Sequence, residues 1–263
     1  MELHVRGKKA FISGSTQGIG YAVALALAEE GAEVVLNGRT ADRVEAAVRR
    51  LRDAVPEAVV SGLAADFEEP DQVARLLSAL GDVDILVNNV GVFELREFSD
   101  ISDADWLRYV DINLMSGVRL ARGLLPGMLA RGSGRIVFIG TESGVSVPAD
   151  MVHYGVTKAG MIALSNGLAK LTRGTQVTVN TVLGGPTYSD GVAQTVEQLA
   201  QDQGIEPQVL KGAIIAGNQT SLLERFIEPS EIASLVLYLA SPLSAATNGA
   251  AIRADGGVLT TLY

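Results

Sequence analysis

A chain of 263 residues accommodates one large domain or two small ones, and with 48% apolar against 19% charged residues it can bury a sizeable core. The formal net charge of −9 argues against nucleic acid and against an anionic membrane surface as partners, because both need clustered Lys and Arg. With no cysteine and only two histidines, His4 and His153, the chain lacks the means for disulfides, thiolate nucleophiles, Cys-ligated zinc or a His-rich cluster, so no metal is expected.

Strand and helix signals alternate from the start. "KAFIS" is a short apolar strand, "GIGYAVALALAEEG" a helix stopping at Gly31, "EVVLN" a second strand and "ADRVEAAVRRLRDA" a second helix. "AVVSGLAAD", "PDQVARLLSALG" with Pro at its start, and "VDILVNN" continue the alternation. Two helices lead to "GRIVFIG", then come the long helix "HYGVTKAGMIALSNGLAKLTR", the strand "QVTVNTVLG", the helix "PSEIASLVLYLAS" and a last strand in "GAAIRADGG". Apolar strands alternating with helices predict an α/β fold: one doubly wound parallel sheet of about seven strands, covered by helices on both faces. The rhythm breaks only between residues 185 and 228, at the carboxyl end of the sixth strand. That is where such a sheet binds ligands, so this insertion reads as a substrate lid, with an ordinary surface excursion as the alternative. No apolar run reaches the roughly 18 residues of a membrane span. "MELHVRGKKAFIS" runs directly into the first strand without a signal-peptide layout. The expectation is a soluble, cytoplasmic protein.

The first strand runs into "SGSTQGIG", where Gly14, Gly18 and Gly20 open a helix. Glycines there permit a tight turn and let a pyrophosphate approach backbone N–H groups at the helix N-terminus. No Lys-Ser/Thr pair follows, so the turn is not a P-loop. A dinucleotide site that takes NAD carries an acid about twenty residues further on, for the ribose 2′-OH. Here the second strand ends in "LNGRT", with Arg39 and no acid. An arginine suits a 2′-phosphate, which favours NADP(H) and leaves NAD(H) open. Asp66, ending the third strand, is a candidate for the adenine amino group, although Asp is also a common turn residue.

"YGVTK" places Tyr154 and Lys158 four residues apart, hence on one face of a helix. At ~4 Å and an effective dielectric near 20, the ammonium would stabilise a tyrosinate by roughly 4 kcal/mol, about three pKa units. A phenol shifted that far can exchange protons near neutral pH. The same pair would also fit a solvated helix stripe.

Taken together, "GSTQGIG", "NNVG" (88–91), Asn113 in "DINLM", Thr141 after "IVFIG", and "YGVTK" resemble, in order and spacing, the short-chain dehydrogenases/reductases, and the resemblance covers essentially the whole chain. It implies a single Rossmann-like domain spanning 1–263 and an NAD(P)(H)-dependent enzyme interconverting carbonyl and hydroxyl groups. Its 3-oxoacyl-carrier-protein reductase branch is the first expectation and sugar or polyol dehydrogenases the alternative. Tyr154 would be the proton donor, Lys158 would lower its pKa and bind the nicotinamide ribose, and Asn113 would hold a relay water. Ser15, Thr16, Ile19, Asn89 and Gly91 join the glycines as implied cofactor contacts, with Thr187 and Ser189 on the nicotinamide carboxamide.

Three departures stand out. Thr141 occupies the position that is usually serine, keeping the hydroxyl donor, with Ser143 in reserve. Val90 replaces alanine, and Gly184-Gly185 followed by Pro186 replaces the usual Pro-Gly. Val92, Phe93, Glu142, Ser143, Val147, Pro186 and Tyr188 would wall the substrate pocket. A non-catalytic dinucleotide-binding regulator is a weaker reading, since Asn113, Tyr154 and Lys158 are intact. A hydrolase fails for want of a G-x-S-x-G elbow. Finally, the helices bearing "GVRLARGLLPGMLARG" and "VTKAGMIALSNGLAKL" are apolar over much of their circumference, which calls for burial on a second side. With the resemblance, this implies a homotetramer, with the C-terminal segment near a second interface.

Overall fold

Strands that are apolar on both faces need cover on both, and period-two alternation sorts their side chains between two cores. A computed structural model, describing residues 2–262, shows this sorting. Seven parallel strands form one sheet in the order β3-β2-β1-β4-β5-β6-β7. They are β1 Lys9–Ile12, β2 Glu33–Gly38, β3 Val60–Ala64, β4 Ile85–Asn88, β5 Ser133–Thr141, β6 Gln176–Gly184 and β7 Ala251–Ala254. Ala10 and Ile12, Ile85 and Val87, Val137 and Ile139 face one core; Phe11, Leu86, Ile136 and Phe138 face the other.

The first core is closed by α1 (Gly18–Glu29), α2 (Ala41–Ala54) and α9 (Pro229–Ala240). The second is closed by α3 (Pro70–Leu80), α5 (Ser116–Arg131) and α6 (Val152–Lys170). The helix α4 (Asp103–Tyr109) begins with a capping box between Ser102 and Asp105 and runs into α5 through a π-helical turn, Val110–Met115. In the insertion lie α7 (Asp190–Gln203) and α8 (Pro207–Gly217).

The order of the strands reverses between β1 and β4, which opens a crevice beyond their carboxyl ends. β5 and β6 run in register from Ser133 opposite Gln176 to Thr141 opposite Gly184. β4 stops at Asn88, opposite Phe138, so Ile139, Gly140 and Thr141 project past it into the crevice. No helix among the described residues is long and apolar enough to cross a membrane, and no group of His, Asp or Glu among them could hold a metal ion.

Candidate active site

The crevice holds two cavities, of about 240 and 420 Å³, which meet at Gln17, Asn89, Gly91 and Val92. The smaller lies over the glycine turn. Gly14 and Gly18 have φ of 61° and 60°, the left-handed region that side chains avoid, which is the conformation this tight turn requires. Thr16, Gln17, Arg39 and Asp66 line this cavity with Arg43. Arg43 escaped the sequence reading, although it follows Arg39 by four residues at the start of α2. Its guanidinium donates to Gln17 Oε1 at 2.8 Å. The absence of an acid at the end of β2 has a steric basis too: a Cβ on Gly38 would come within 2.5 Å of the Thr16 methyl.

Two expected cofactor contacts are spent inside the protein. Ser15 is fully buried; its hydroxyl donates to the Ile12 carbonyl at 2.7 Å and accepts from the Asn37 N–H at 2.9 Å, tying β1 to β2. The amide of Asn89 donates to the carbonyls of Ser13 and Gly14 at 3.1 and 2.9 Å, so that side chain shapes the turn while the residue still borders both cavities.

The larger cavity gathers Ile19, Val92, Phe93, Thr141, Glu142, Ser143, Tyr154, Lys158, Pro186, Thr187 and Ser189, and adds Met151, which nothing in the sequence marked. Two expected walls lie elsewhere. Tyr188 turns into the insertion, its ring 5.2 Å from that of Phe226 and capped by the Lys211 ammonium at 3.6 Å. Val147 packs over Gly155, where a Cβ would meet it at 2.4 Å. Close approach requires the glycine at 185, where a Cβ would lie 2.5 Å from the Asp255 carbonyl oxygen; nothing in the structure explains glycine in place of proline at 184. Thr187 donates to the Gly185 carbonyl at 2.9 Å and bridges Ile227, while Ser189 caps α7. Beside it, Asp190 accepts from the Gly18 N–H at 2.6 Å, so the insertion reaches the glycine turn.

Lys158 is buried with its ammonium donating to the Ile139 carbonyl at 3.0 Å, and burial pulls its pKa down to about 8. Tyr154 stands edge-on to Phe93, with ring centroids 6.3 Å apart. Its phenol is pushed above the ordinary tyrosine value, first by burial and then by the charge of Glu142, against a smaller opposing effect of the Thr141 hydroxyl. This corrects the expected lowering by Lys158. The ammonium lies 5.7 Å from the ring centroid and serves a carbonyl, so in this protein the phenol holds its proton.

Asn113 sits in the π-helical turn, a distortion common at functional sites. Its oxygen accepts from the Val92 N–H at 2.7 Å, and its nitrogen donates to the Val92 carbonyl at 3.0 Å and to Thr157 at 3.1 Å. It thereby fixes the loop after β4 against α6. Gly91 lies between Asn113 and Lys158, where a Cβ would be 3.2 Å from the ammonium. Thr141 donates to Glu142 Oε2 and accepts from the Ser143 N–H at 3.3 Å. His153 points away from the cavity, buried against Tyr109 at 3.9 Å, so adjacency to Tyr154 gives it no part in the site.

Residues 14–259 match a family model described as enoyl-(acyl carrier protein) reductase. Uncharacterized oxidoreductase YvaG of Bacillus subtilis (strain 168) is 42% identical over 264 residues, covering 100% of both chains. D-beta-hydroxybutyrate dehydrogenase of Rhizobium meliloti (strain 1021) is 33% identical over 258 residues, 95% of this chain and 98% of the relative. Among solved structures, L-sorbose reductase from Gluconobacter frateurii, complexed with NADPH and L-sorbose, superposes with a TM-score of 0.94 at 33% identity over 100% of both chains.

Proposed function

We infer the mechanism from one premise: the chain belongs to the short-chain dehydrogenase/reductase family. It is therefore an oxidoreductase acting between a nicotinamide cofactor and a carbonyl or hydroxyl carbon of a small substrate. The observation that carries the reading is a phenol and a buried lysine, Tyr154 and Lys158, in one cavity that continues into a glycine-lined cleft.

The cleft fits a dinucleotide. The glycine turn and the N-terminus of α1 suit a pyrophosphate, and Arg39 with Arg43 suits a ribose 2′-phosphate. NADP(H) is accordingly the favoured cofactor, as in the sorbose reductase complex. Asp66, in the smaller cavity, suits the adenine, and Ile19, Gly91, Thr187, Ser189 and Lys158, in the larger one, would border the nicotinamide end. When bound, the cofactor supplies the hydride.

The chain's own residues supply the proton. Tyr154 donates to the oxygen of the ketone as negative charge develops there, and the Thr141 hydroxyl adjoins that oxygen's place. Lys158 would hold the nicotinamide ribose, and Asn113 holds the loop after β4 and α6 in register. The insertion 185–228 acts as the lid. A reducing, cytoplasmic setting suits a cysteine-free chain, and the assembly is a homotetramer.

Tyr154→Phe should abolish NADPH oxidation with every ketone tested while NADPH binding, followed by calorimetric titration, is kept. Turnover near the parent rate would refute the acid assignment. In the same titrations the parent should bind NADPH more tightly than NADH, and Arg39→Ala should remove most of the difference.

A further inference from the structure

Glu142 is the single carboxylate among the described residues lining the larger cavity. Burying a carboxylate is costly unless it is paired, yet among the described residues no basic side chain forms an ion pair with it. Its donors are the Thr141 hydroxyl on Oε2, the backbone N–H groups of Glu142 and Ser143, and the Ser143 hydroxyl, which reaches Oε1 at 3.4 Å. The Ser143 contact is longer than an ordinary O–H···O hydrogen bond, so it is the one a ligand donor can replace. Burial raises its pKa, the sign of a group whose surroundings leave its charge under-compensated. Glu142 lines the same cavity as Tyr154 and accepts from Thr141, the hydroxyl assigned to the substrate oxygen.

We propose that Glu142 is a specificity-determining residue that selects ketones carrying a hydroxyl beside the reacting carbonyl and rejects those carrying a carboxylate there. The proposal rests on the carbonyl-reductase reading above. A substrate hydroxyl donating to Glu142 forms a charge-assisted hydrogen bond in place of the long Ser143 contact. A ketone without that hydroxyl leaves Oε1 with the long Ser143 contact alone among side chains, and a site built to take a donor discriminates against a ligand that lacks one. A substrate carboxylate meets a like charge instead. Lys158, the one cation among the described residues lining the cavity, spends one of its three donors on the Ile139 carbonyl and is the single counter-charge the site offers. The site therefore favours hydroxyketones and their polyol products over 3-oxo acids.

The test compares 1-hydroxy-2-butanone, 2-pentanone and acetoacetate with NADPH in the parent, Glu142→Gln and Glu142→Asp, each first checked for parental thermal stability and NADPH affinity. The parent should favour the hydroxyketone over acetoacetate at least tenfold in kcat/KM, with 2-pentanone between. Glu142→Gln should shift the acetoacetate-to-hydroxyketone ratio at least tenfold toward the acid, and Glu142→Asp should keep the parental order. A ratio unchanged within twofold in Glu142→Gln overturns the proposal. If the parent reduces none of the three, the carbonyl-reductase reading falls. Calorimetric titration with 1,2-butanediol and 3-hydroxybutyrate then still decides the role of Glu142: a tenfold relative gain for the acid in Glu142→Gln supports it, and no change overturns it.

Discussion

Lys158 shows what a functional residue costs its fold. It is 4% exposed, holds one carbonyl, and titrates at about 8 instead of 10.5 because burial disfavours its charge. Between those two pH values the unfolded chain binds a proton that the folded chain has released. This group therefore makes stability rise with pH across that window, and below about 8 its full penalty stands. At 1.36 kcal/mol per pKa unit the penalty is on the order of 3 kcal/mol. Losing the bond to Ile139 returns about 1 kcal/mol of it. Lys158→Met should accordingly raise the Tm of the unliganded protein at neutral pH while destroying turnover. Scanning calorimetry showing an equal or lower Tm would contradict this account. Tyr154 and Lys158 were legible as a pair from their i, i+4 spacing, but the direction of the Tyr154 shift was not. It depends first on burial and then on Glu142, twelve positions earlier in the chain, and both follow from how α6 packs at the end of β5.

Among the elements, the central strands and helices earn their positions by burial, whereas the insertion does not. α5 buries Leu120, Leu124, Leu125 and Met128, while α7 buries only Val196 and Ala200 and α8 buries none of its residues. Few buried apolar contacts mean low local stability, and mobile ligand-covering elements come from that class. Hydrogen exchange should be fastest at α8, and NADPH should protect the segment from Thr187 to Val192, which joins the larger cavity to the glycine turn. Protection of α8 equal to that of α5 in the unliganded protein, or no change at Thr187 to Val192 on adding NADPH, would argue against a lid. The length and loop character of this insertion announced it in the sequence. The turning of Tyr188 onto Phe226 and Lys211 did not, because both partners lie more than twenty residues downstream within the same insertion.

At the scale of the whole molecule, α4 to α6 expose Leu107, Val156 and Leu171 together with the small residues Ala130, Ala163 and Gly167. Apolar and small residues side by side let another helix pair approach closely, and the sheet covers only the opposite side of these helices. The strand β7 ends the sheet with an unpaired edge, a second surface suited to pairing. Tyr263, the last residue of the segment expected there, lies outside the described residues. Light scattering at micromolar concentration should give the mass of a tetramer, and Val156→Glu should lower it. A monomeric parent would overturn the assembly.

By itself the sequence determined the α/β architecture, the glycine turn before α1, the missing acid after β2 and the tyrosine–lysine pair, because each is written in local period or spacing. A strand alternates every two residues, a helix returns every three to four, and these rules act between near neighbours whatever the rest of the chain does. Only the tertiary structure decided which polar side chains face the crevice and which are spent bracing it. Ser15 and Asn89 read as cofactor contacts until their partners on β1, β2 and the glycine turn claim them, and Val147 reads as a wall until Gly155 receives it. Arg43 and Glu142 acquire their places for the complementary reason. Hydrogen bonds and Coulomb forces act through space over a few ångströms, and the fold alone sets which residues are that close.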